Sequence, residues 1–266
     1  MLEIRELSKA FGRGTVSEVQ ALSRFNLAVA DGELISIIGS NGSGKSTLMS
    51  CLAGAHLPDS GAIILNQEDI TTWPEHKRAS LISRVFQDPL SGTCAAMTVE
   101  ENLALAHRRG RPRGFRRGIA REERELFRAA LAPLGLGLEK RLTDQVGLLS
   151  GGQRQALTLI MATLIRPALL LLDEHTAAQD PKTASRTMSL TMDLVEKNRL
   201  TTLMITHNLA QAIDYGHRLV MMGQGRVFWD FPAEEKARLT VKSLLERFLE
   251  ASRETGVGLS DSLLLA

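Results

Sequence analysis

The chain has 266 residues, 44% of them hydrophobic and 23% charged, with 8 prolines and a formal net charge of +2. This is the composition of an ordinary globular protein with a large core, and it excludes disordered, collagenous and fibrous classes. The longest wholly apolar run, residues 168–172, is far short of the roughly 20 residues that cross a bilayer. The N-terminus, MLEIRELSK, carries charges where a signal peptide needs an apolar stretch, and Cys51 and Cys94 form no CxxC pair or disulfide framework. These features point to a cytoplasmic protein in a reducing compartment. The small net charge conceals one patch: residues 108–124 hold eight arginines against Glu122 and Glu123, a local charge of +6.

In chain order, short apolar alternations at Leu2 and Ile4 and at Leu27 and Val29 precede a turn at Asp31-Gly32. A buried strand is then predicted over residues 34–38, running into a glycine-rich loop and a helix over 46–54. Pro58-Asp59-Ser60-Gly61 marks the next turn. From about residue 88 to 166 the periodicity turns helical, with helices predicted over 99–107, 122–134 and 152–165, which reads as an inserted helical subdomain. Past Pro167 the α/β alternation resumes: strands over 169–172, 202–205 and 218–222, and helices over 182–197 and 209–215. Gly223 to Gly225 reads as a hairpin turn. Thr240 is placed to cap a last amphipathic helix with Leu244, Leu245, Phe248 and Leu249 on one face. The whole is an α/β protein, one domain over residues 1–250 followed by a tail over 251–266.

The sharpest chemical signal is Gly39-Ser40-Asn41-Gly42-Ser43-Gly44-Lys45-Ser46-Thr47. It fits G-x-x-x-x-G-K-[ST] and lies between a predicted strand and helix, the context that gives the motif its meaning. Glycines let successive backbone N–H groups curl around phosphate oxygens, the helix N-terminus adds its positive dipole, Lys45 neutralises β and γ phosphates, and Ser46 can ligate Mg²⁺. A second signal is the apolar strand that delivers Asp173 and Glu174 at its C-terminal end, where α/β sheets place ligand crevices. Asp173 suits the Mg²⁺ shell and Glu174 a general base that polarises water. The third is Leu149-Ser150-Gly151-Gly152-Gln153-Arg154-Gln155, small and polar residues opening a helix, a second anion-binding N-terminus.

With this third motif the sequence resembles the ATP-binding cassette (ABC) ATPases, whose LSGGQ signature it carries letter for letter, over essentially residues 1–250. The resemblance implies a P-loop NTPase of the ABC ATPase fold: a mixed sheet core, the inserted helical subdomain and an N-terminal antiparallel β region. It implies that two copies, most simply a homodimer, pack head to tail on ATP and Mg²⁺, with Ser150, Gly151, Gly152 and Gln153 of one closing on the γ-phosphate held by the other. By the same resemblance Gln87 is the Q-loop glutamine that touches Mg²⁺, His207 the switch histidine on the γ-phosphate, Phe11 the aromatic stacked on adenine, and Asp180 the D-loop aspartate. Extra residues around Gly14 to Glu18 separate Phe11 from the next strand. Two positions depart from the common family pattern, His175 where proline is usual and Gln179 where leucine is usual.

The function implied is the ATP-hydrolysing subunit of a membrane transporter, bound to the cytoplasmic face of the inner membrane through separate integral permease subunits. Single-cassette chains of this kind are most often importer subunits, served by a solute-binding protein on the far side of the permease. Asp173-Glu174-His175-Thr176-Ala177-Ala178 and Pro74-Glu75-His76-Lys77-Arg78 resemble a bacterial subgroup paired with branched-chain-amino-acid-type permeases and binding proteins for aromatic amino acids or similar solutes. The alternative is a soluble ABC ATPase without a transporter, such as one for iron-sulfur cluster assembly. DNA-repair and translation ATPases fit less well, since there is one cassette, no long heptad run and no zinc-ligand cysteine pairs. A P-loop kinase or GTPase leaves the signature and His207 unexplained. The arginine patch reads as a solvated face, or as a contact for anionic headgroups or an acidic partner loop. Nucleic acid is not expected there, because aromatics are 4% of the chain and Phe115 alone is interleaved in the patch.

Overall fold

The computed structural model describes residues 1–111, 118–177 and 179–255, with side chains to residue 250. Arg113, Phe115, Arg116 and Arg117 of the arginine patch, Ala178, and the tail beyond Thr255 lie outside the described residues. Strands β1 (Leu2–Phe11), β2 (Val19–Val29) and β3 (Leu34–Gly39) come first, then α1 (Lys45–Ala53), β4 (Ser60–Leu65), β5 (Glu68–Asp69) and α2 (Glu75–Arg78). They are followed by β6 (Ile82–Val85), α3 (Val99–His107), α4 (Arg121–Leu131), α5 (Gly151–Thr163), β7 (Leu169–Asp173) and α6 (Pro181–Asn198). The chain closes with β8 (Thr202–Ile205), α7 (Leu209–Asp214), β9 (Arg218–Gly223), β10 (Arg226–Phe231), α8 (Ala233–Lys236) and α9 (Val241–Thr255).

The described chain divides into two compact units. The first joins Met1–Arg78 to the chain from Arg199 onward. Its antiparallel sheet has the order β2-β1-β4-β5, and the alternation seen in the sequence puts Leu2, Ile4, Leu27 and Val29 inside. Beside it β3 is flanked in parallel by β8 and β9, with Ile35 opposite Leu203 and Ile37 opposite Val220. All six residues of β3 are buried, as a strand covered on both faces must be. Strand β10 returns antiparallel to β9 through Gln224 and Gly225, both at positive φ (48° and 73°), which is the two-residue turn whose twist matches a hairpin. Helices α7 and α9 pack Leu209, Ala212, Leu244 and Phe248 against Ile38, Leu219, Met221 and Phe231.

The second unit is Ala79–Asn198. Parallel strands β6 and β7 pair Val85 with Leu172, and the Ser83 hydroxyl donates to the carbonyl of Ala162 at 2.7 Å, tying the pair to the end of α5. The helical part surrounds a core of Val99, Leu103, Phe127, Leu131, Val146 and Leu157. Its starts are written in the sequence. Thr98 and Glu101 form a reciprocal capping box on α3, and Ser150 and Gln153 form another on α5, satisfying two orphan donors at each helix start.

Three differences from the sequence expectation have local causes. The helix expected over 122–134 ends at Leu131 and tightens into a 3₁₀ turn at Ala132–Leu134, because Pro133 cannot continue an α-helix. Leu249, expected on the apolar face of the last helix, is exposed, since Leu244 and Phe248 alone, one turn apart, form the fully buried stripe. Strands β4, β5 and β6 lie outside the expected set, and β10 is implied only by the hairpin turn at Gly223 to Gly225. Among the described residues no helix is long and apolar enough to cross a membrane.

Candidate functional site

In the first unit, the strand β3 ends at Gly39 and the loop closes on itself before α1. The Ser43 N–H donates to the carbonyl of Ser40 at 3.1 Å, and the Gly225 N–H donates to the carbonyl of Ser43 at 3.0 Å. Two glycines are required by contact. A Cβ on Gly39 would collide with the carbonyl of Met222, and one on Gly44, at φ 100°, with the carbonyl of Ala21. Lys45 is buried at 5% exposure, and its ammonium donates to the carbonyls of Gly39 at 2.7 Å and Ser40 at 2.9 Å and to the Ser43 hydroxyl at 3.3 Å. The charge is thus centred under the loop, while Asn41, Gly42 and Ser46 face outward at the helix N-terminus. Thr47 sits half-buried on the first turn of α1. A glycine-rich loop at the positive end of a helix, with a lysine held beneath it, can cradle an anion.

The same unit holds His207 and Phe11. His207 follows β8, partly buried, between two side-chain caps: the Asn208 N–H donates to the Thr206 hydroxyl at 3.1 Å, and the Asn208 side chain accepts from the Gln211 N–H at 2.9 Å to start α7. Phe11 is the last residue of β1, and residues 12–18 form the loop to β2, which accommodates the extra residues. Its ring is exposed, meets His56 edge-on at 5.2 Å and lies 5.6 Å from the Lys9 ammonium. An open aromatic face with cationic company can stack on a heterocycle.

The second unit carries the carboxylates. Asp173 ends β7, and Arg84 on the neighbouring β6 donates to its Oδ2 at 2.6 Å, both side chains mostly buried. Glu174 follows at φ 47°, a left-handed conformation that a non-glycine residue holds only under constraint. Gln87 lies two residues past β6 and is exposed. Ser150, Gly151, Gly152, Gln153 and Asp180 line one cavity of ≈ 330 Å³ with Gln179, Thr183 and Thr187. In that cavity the Ser150 oxygen accepts from the Gln153 N–H at 3.3 Å. The Gln153 side chain is engaged at home: it accepts from the Ser150 N–H and donates to the carbonyl of Leu136. Asp180 accepts from the Thr183 N–H at 3.1 Å, and the Thr183 hydroxyl and amide hold its carboxyl below the usual range.

Sequence reasoning missed Arg84, whose strand is too short to show a period and whose counter-charge lies 89 residues away. It also missed what His175 does. The residue is 2% exposed, burial depresses its pKa to about 4, and it bonds to Thr191. The arginine patch is in part structural: Arg108 pairs with Glu123, Arg109 donates to the carbonyl of Ile165, and Arg124 clamps Glu100 with two bonds of 2.7 and 2.9 Å. In the first unit the Ser46 hydroxyl, and in the second the Asp173 carboxylate and the Gln87 amide, are hard oxygen donors of the kind that Mg²⁺ prefers. Among the described residues there is no cluster of three or more His, Cys, Asp or Glu that could hold a metal ion.

The family model for ABC transporters matches residues 22–177. The chain is 45% identical to a tyrosine transport ATP-binding protein of Clostridioides difficile over 93% of its own length and 98% of that protein's. It is 36% identical to the phosphonates import ATP-binding protein PhnC of Alcaligenes faecalis, over 88% and 83% of the two lengths. Its structure matches the dimeric post-hydrolysis state of the ATP-binding cassette MJ0796 bound to ADP and Pi, with a TM-score of 0.74 and 27% identity over 88% of this chain and 99% of that one. The family match over residues 22–177 and these similarities over most of each chain agree with the glycine-rich phosphate loop, the strand-end carboxylates and the LSGGQ helix start of this chain, which belongs to the ABC transporter family as an ATP-binding, ATP-hydrolysing cassette.

Proposed function

We propose that this cassette is the energy-coupling subunit of a bacterial importer for a small solute, an amino acid being the best-supported class. The observation that carries the reading is the 45% identity, over nearly the full length of both chains, to a protein named for tyrosine transport; phosphonate, methionine and thiamine import ATP-binding proteins match at 33 to 36%. Residues 1–250 act as one ATPase domain with a helical subdomain over 88–166. The subunit works peripherally on the cytoplasmic face of the inner membrane, joined to integral permease subunits, with a solute-binding protein delivering cargo from the other side.

The residues take the following roles. The loop amides of Ser40, Asn41, Gly42, Ser43 and Gly44 and the Lys45 ammonium bind the β and γ phosphates, with Thr47 completing the loop. Phe11 stacks on adenine. Two copies close head to tail, and Ser150, Gly151 and Gly152 of one donate to the γ-phosphate bound by the other, their geometry fixed by Gln153. Glu174 orients water for in-line attack on the γ-phosphorus and accepts its proton, while His207 donates a hydrogen bond to the γ-phosphate as charge develops. Ser46, Asp173 and Gln87 would hold Mg²⁺, which when bound neutralises phosphate charge. Asp180 bounds the signature cavity at the dimer seam.

The test is affinity purification of the tagged chain from detergent-solubilised membranes. A polytopic membrane protein recovered in near-stoichiometric amount, with an amino-acid-binding protein encoded or co-purified beside it, is the expected result. Recovery only from the soluble fraction, alone or with soluble assembly proteins, refutes the transporter role.

A further inference from the structure

A buried hydrogen-bond relay runs beside Glu174. Residues 174–180 connect β7 to the start of α6, and two side chains of this turn reach back to one stripe of that helix. His175 places Nε2 3.0 Å from the Oγ1 of Thr191. The Thr191 hydroxyl spends its single proton on the carbonyl of Thr187 at 2.8 Å, so it accepts from the imidazole, which is therefore the tautomer protonated on Nε2. One helical turn earlier, the Thr187 hydroxyl donates to Oε1 of Gln179 at 2.8 Å. Thr187 and Thr191 stand at i and i+4 on one face of α6 and are 4% and 0% exposed. The turn also closes internally, the Ala177 N–H donating to the carbonyl of Glu174 at 2.9 Å and the Gln179 N–H to that of Thr176 at 3.3 Å.

Both ends of the turn are thereby stapled to the same helix. Glu174 needs such support, because φ 47° is a conformation that relaxes unless its neighbours hold it. Hydrogen bonds suit this task better than apolar packing, since they fix rotation as well as distance, and a fully satisfied buried set specifies one arrangement. At the other end, Gln179 and Asp180 border the cavity that Ser150 and Gly152 open into.

We propose that His175, Thr191, Thr187 and Gln179 are positioning residues for ATP hydrolysis: through α6 they hold the Glu174 carboxylate and the Asp180 rim of the signature cavity in one fixed relation. The inference rests on Glu174 being the general base.

The experiment measures kcat and KM for ATP hydrolysis, with Tm, on the full chain and its variants. Thr187→Val, Gln179→Leu and His175→Leu are each expected to lower kcat about tenfold while KM stays within about twofold, with Tm falling by only a few degrees for the one buried hydrogen bond lost. Thr187→Val combined with Gln179→Leu should cost no more than either alone, because both delete one bond. His175→Gln, whose amide nitrogen can take the place of Nε2, should recover most of the rate. Parental kcat in all the variants overturns the inference, and so does a fall of kcat accompanied by a several-fold rise of KM, which marks a structural role only. Glu174→Gln separates the two readings. A parental rate there removes the general base and this inference with it, whereas loss there beside unaffected relay variants overturns the inference alone.

Discussion

Arg78 offers a quantitative test of how the phosphate loop is supported. Its side chain is 0% exposed, and its guanidinium donates to four carbonyls: Cys51 at 2.5 Å, Leu52 at 3.1 Å, Thr71 at 2.7 Å and Trp73 at 3.0 Å. Cys51 and Leu52 belong to the last turn of α1, whose carbonyls have no partner within the helix and form the negative end of its dipole. Arg78 is therefore the C-terminal cap of the helix that begins at Lys45. Arg78→Met keeps the stem's bulk and deletes the fork. A buried acceptor left without a donor costs about 1–3 kcal/mol. Four such losses are offset in part by rehydration and by no longer burying a charge, so the net expectation is about 3–4 kcal/mol. That is a large share of the roughly 5–15 kcal/mol that holds a typical domain. Arg78→Lys keeps the charge as a point donor without the planar fork and should lose about half as much. Urea unfolding with an unchanged m value measures both. A loss below about 1 kcal/mol for Arg78→Met would show that α1 does not depend on this cap.

Gly44→Ala should abolish ATP binding in equilibrium dialysis, because φ 100° and the carbonyl of Ala21 both forbid a Cβ there; undiminished affinity would remove the phosphate-cradle reading of the loop. His175 makes folding pH-dependent. Its folded pKa, depressed to about 4 by burial, lies below the ordinary 6.5, so the unfolded chain binds the extra proton first, and stability present above pH 6.5 is lost as pH falls toward 4. Between pH 7.5 and 5 that loss amounts to roughly 2 kcal/mol. Denaturation of the parent and of His175→Gln at the two pH values should differ by this amount, and equal slopes would mean the imidazole is protonated in the fold. Arg124→Leu strands the Glu100 carboxylate, which is 7% exposed, and should lower the Tm; adding Glu100→Gln should restore part of it, and additive losses would show that the pair is not coupled.

The features legible in the sequence are those whose causes are close together in the chain. The phosphate loop is one: a strand, glycines forced by backbone contact and a lysine five or six residues from the carbonyls it meets all lie within one short segment. The starts of α3 and α5 are others, because Thr98 with Glu101 and Ser150 with Gln153 satisfy each other three residues apart. What escaped depends on distant partners. Arg84 makes sense only once its carboxylate, 89 residues away, is known, and Arg78 only once the end of α1 is placed against it. The short strand β6 gave too few residues for a period to show.

His175 and Gln179 sit between these cases. In the sequence they are two separate departures from a common pattern, neither with a reason. The fold makes them one feature, because the hydroxyls that meet them share a face of α6, and the Thr191 hydroxyl donates a hydrogen bond to the carbonyl of Thr187. Each departure presupposes its own hydroxyl: without Gln179 the Thr187 donor loses its acceptor, and without His175 the Thr191 oxygen loses its donor, both in a buried setting where a missing partner is costly. The economical change from one version of this turn to another is therefore a joint one, His175 and Gln179 altered with Thr187 and Thr191. Any single change should be felt at Glu174, whose strained backbone the same staples hold.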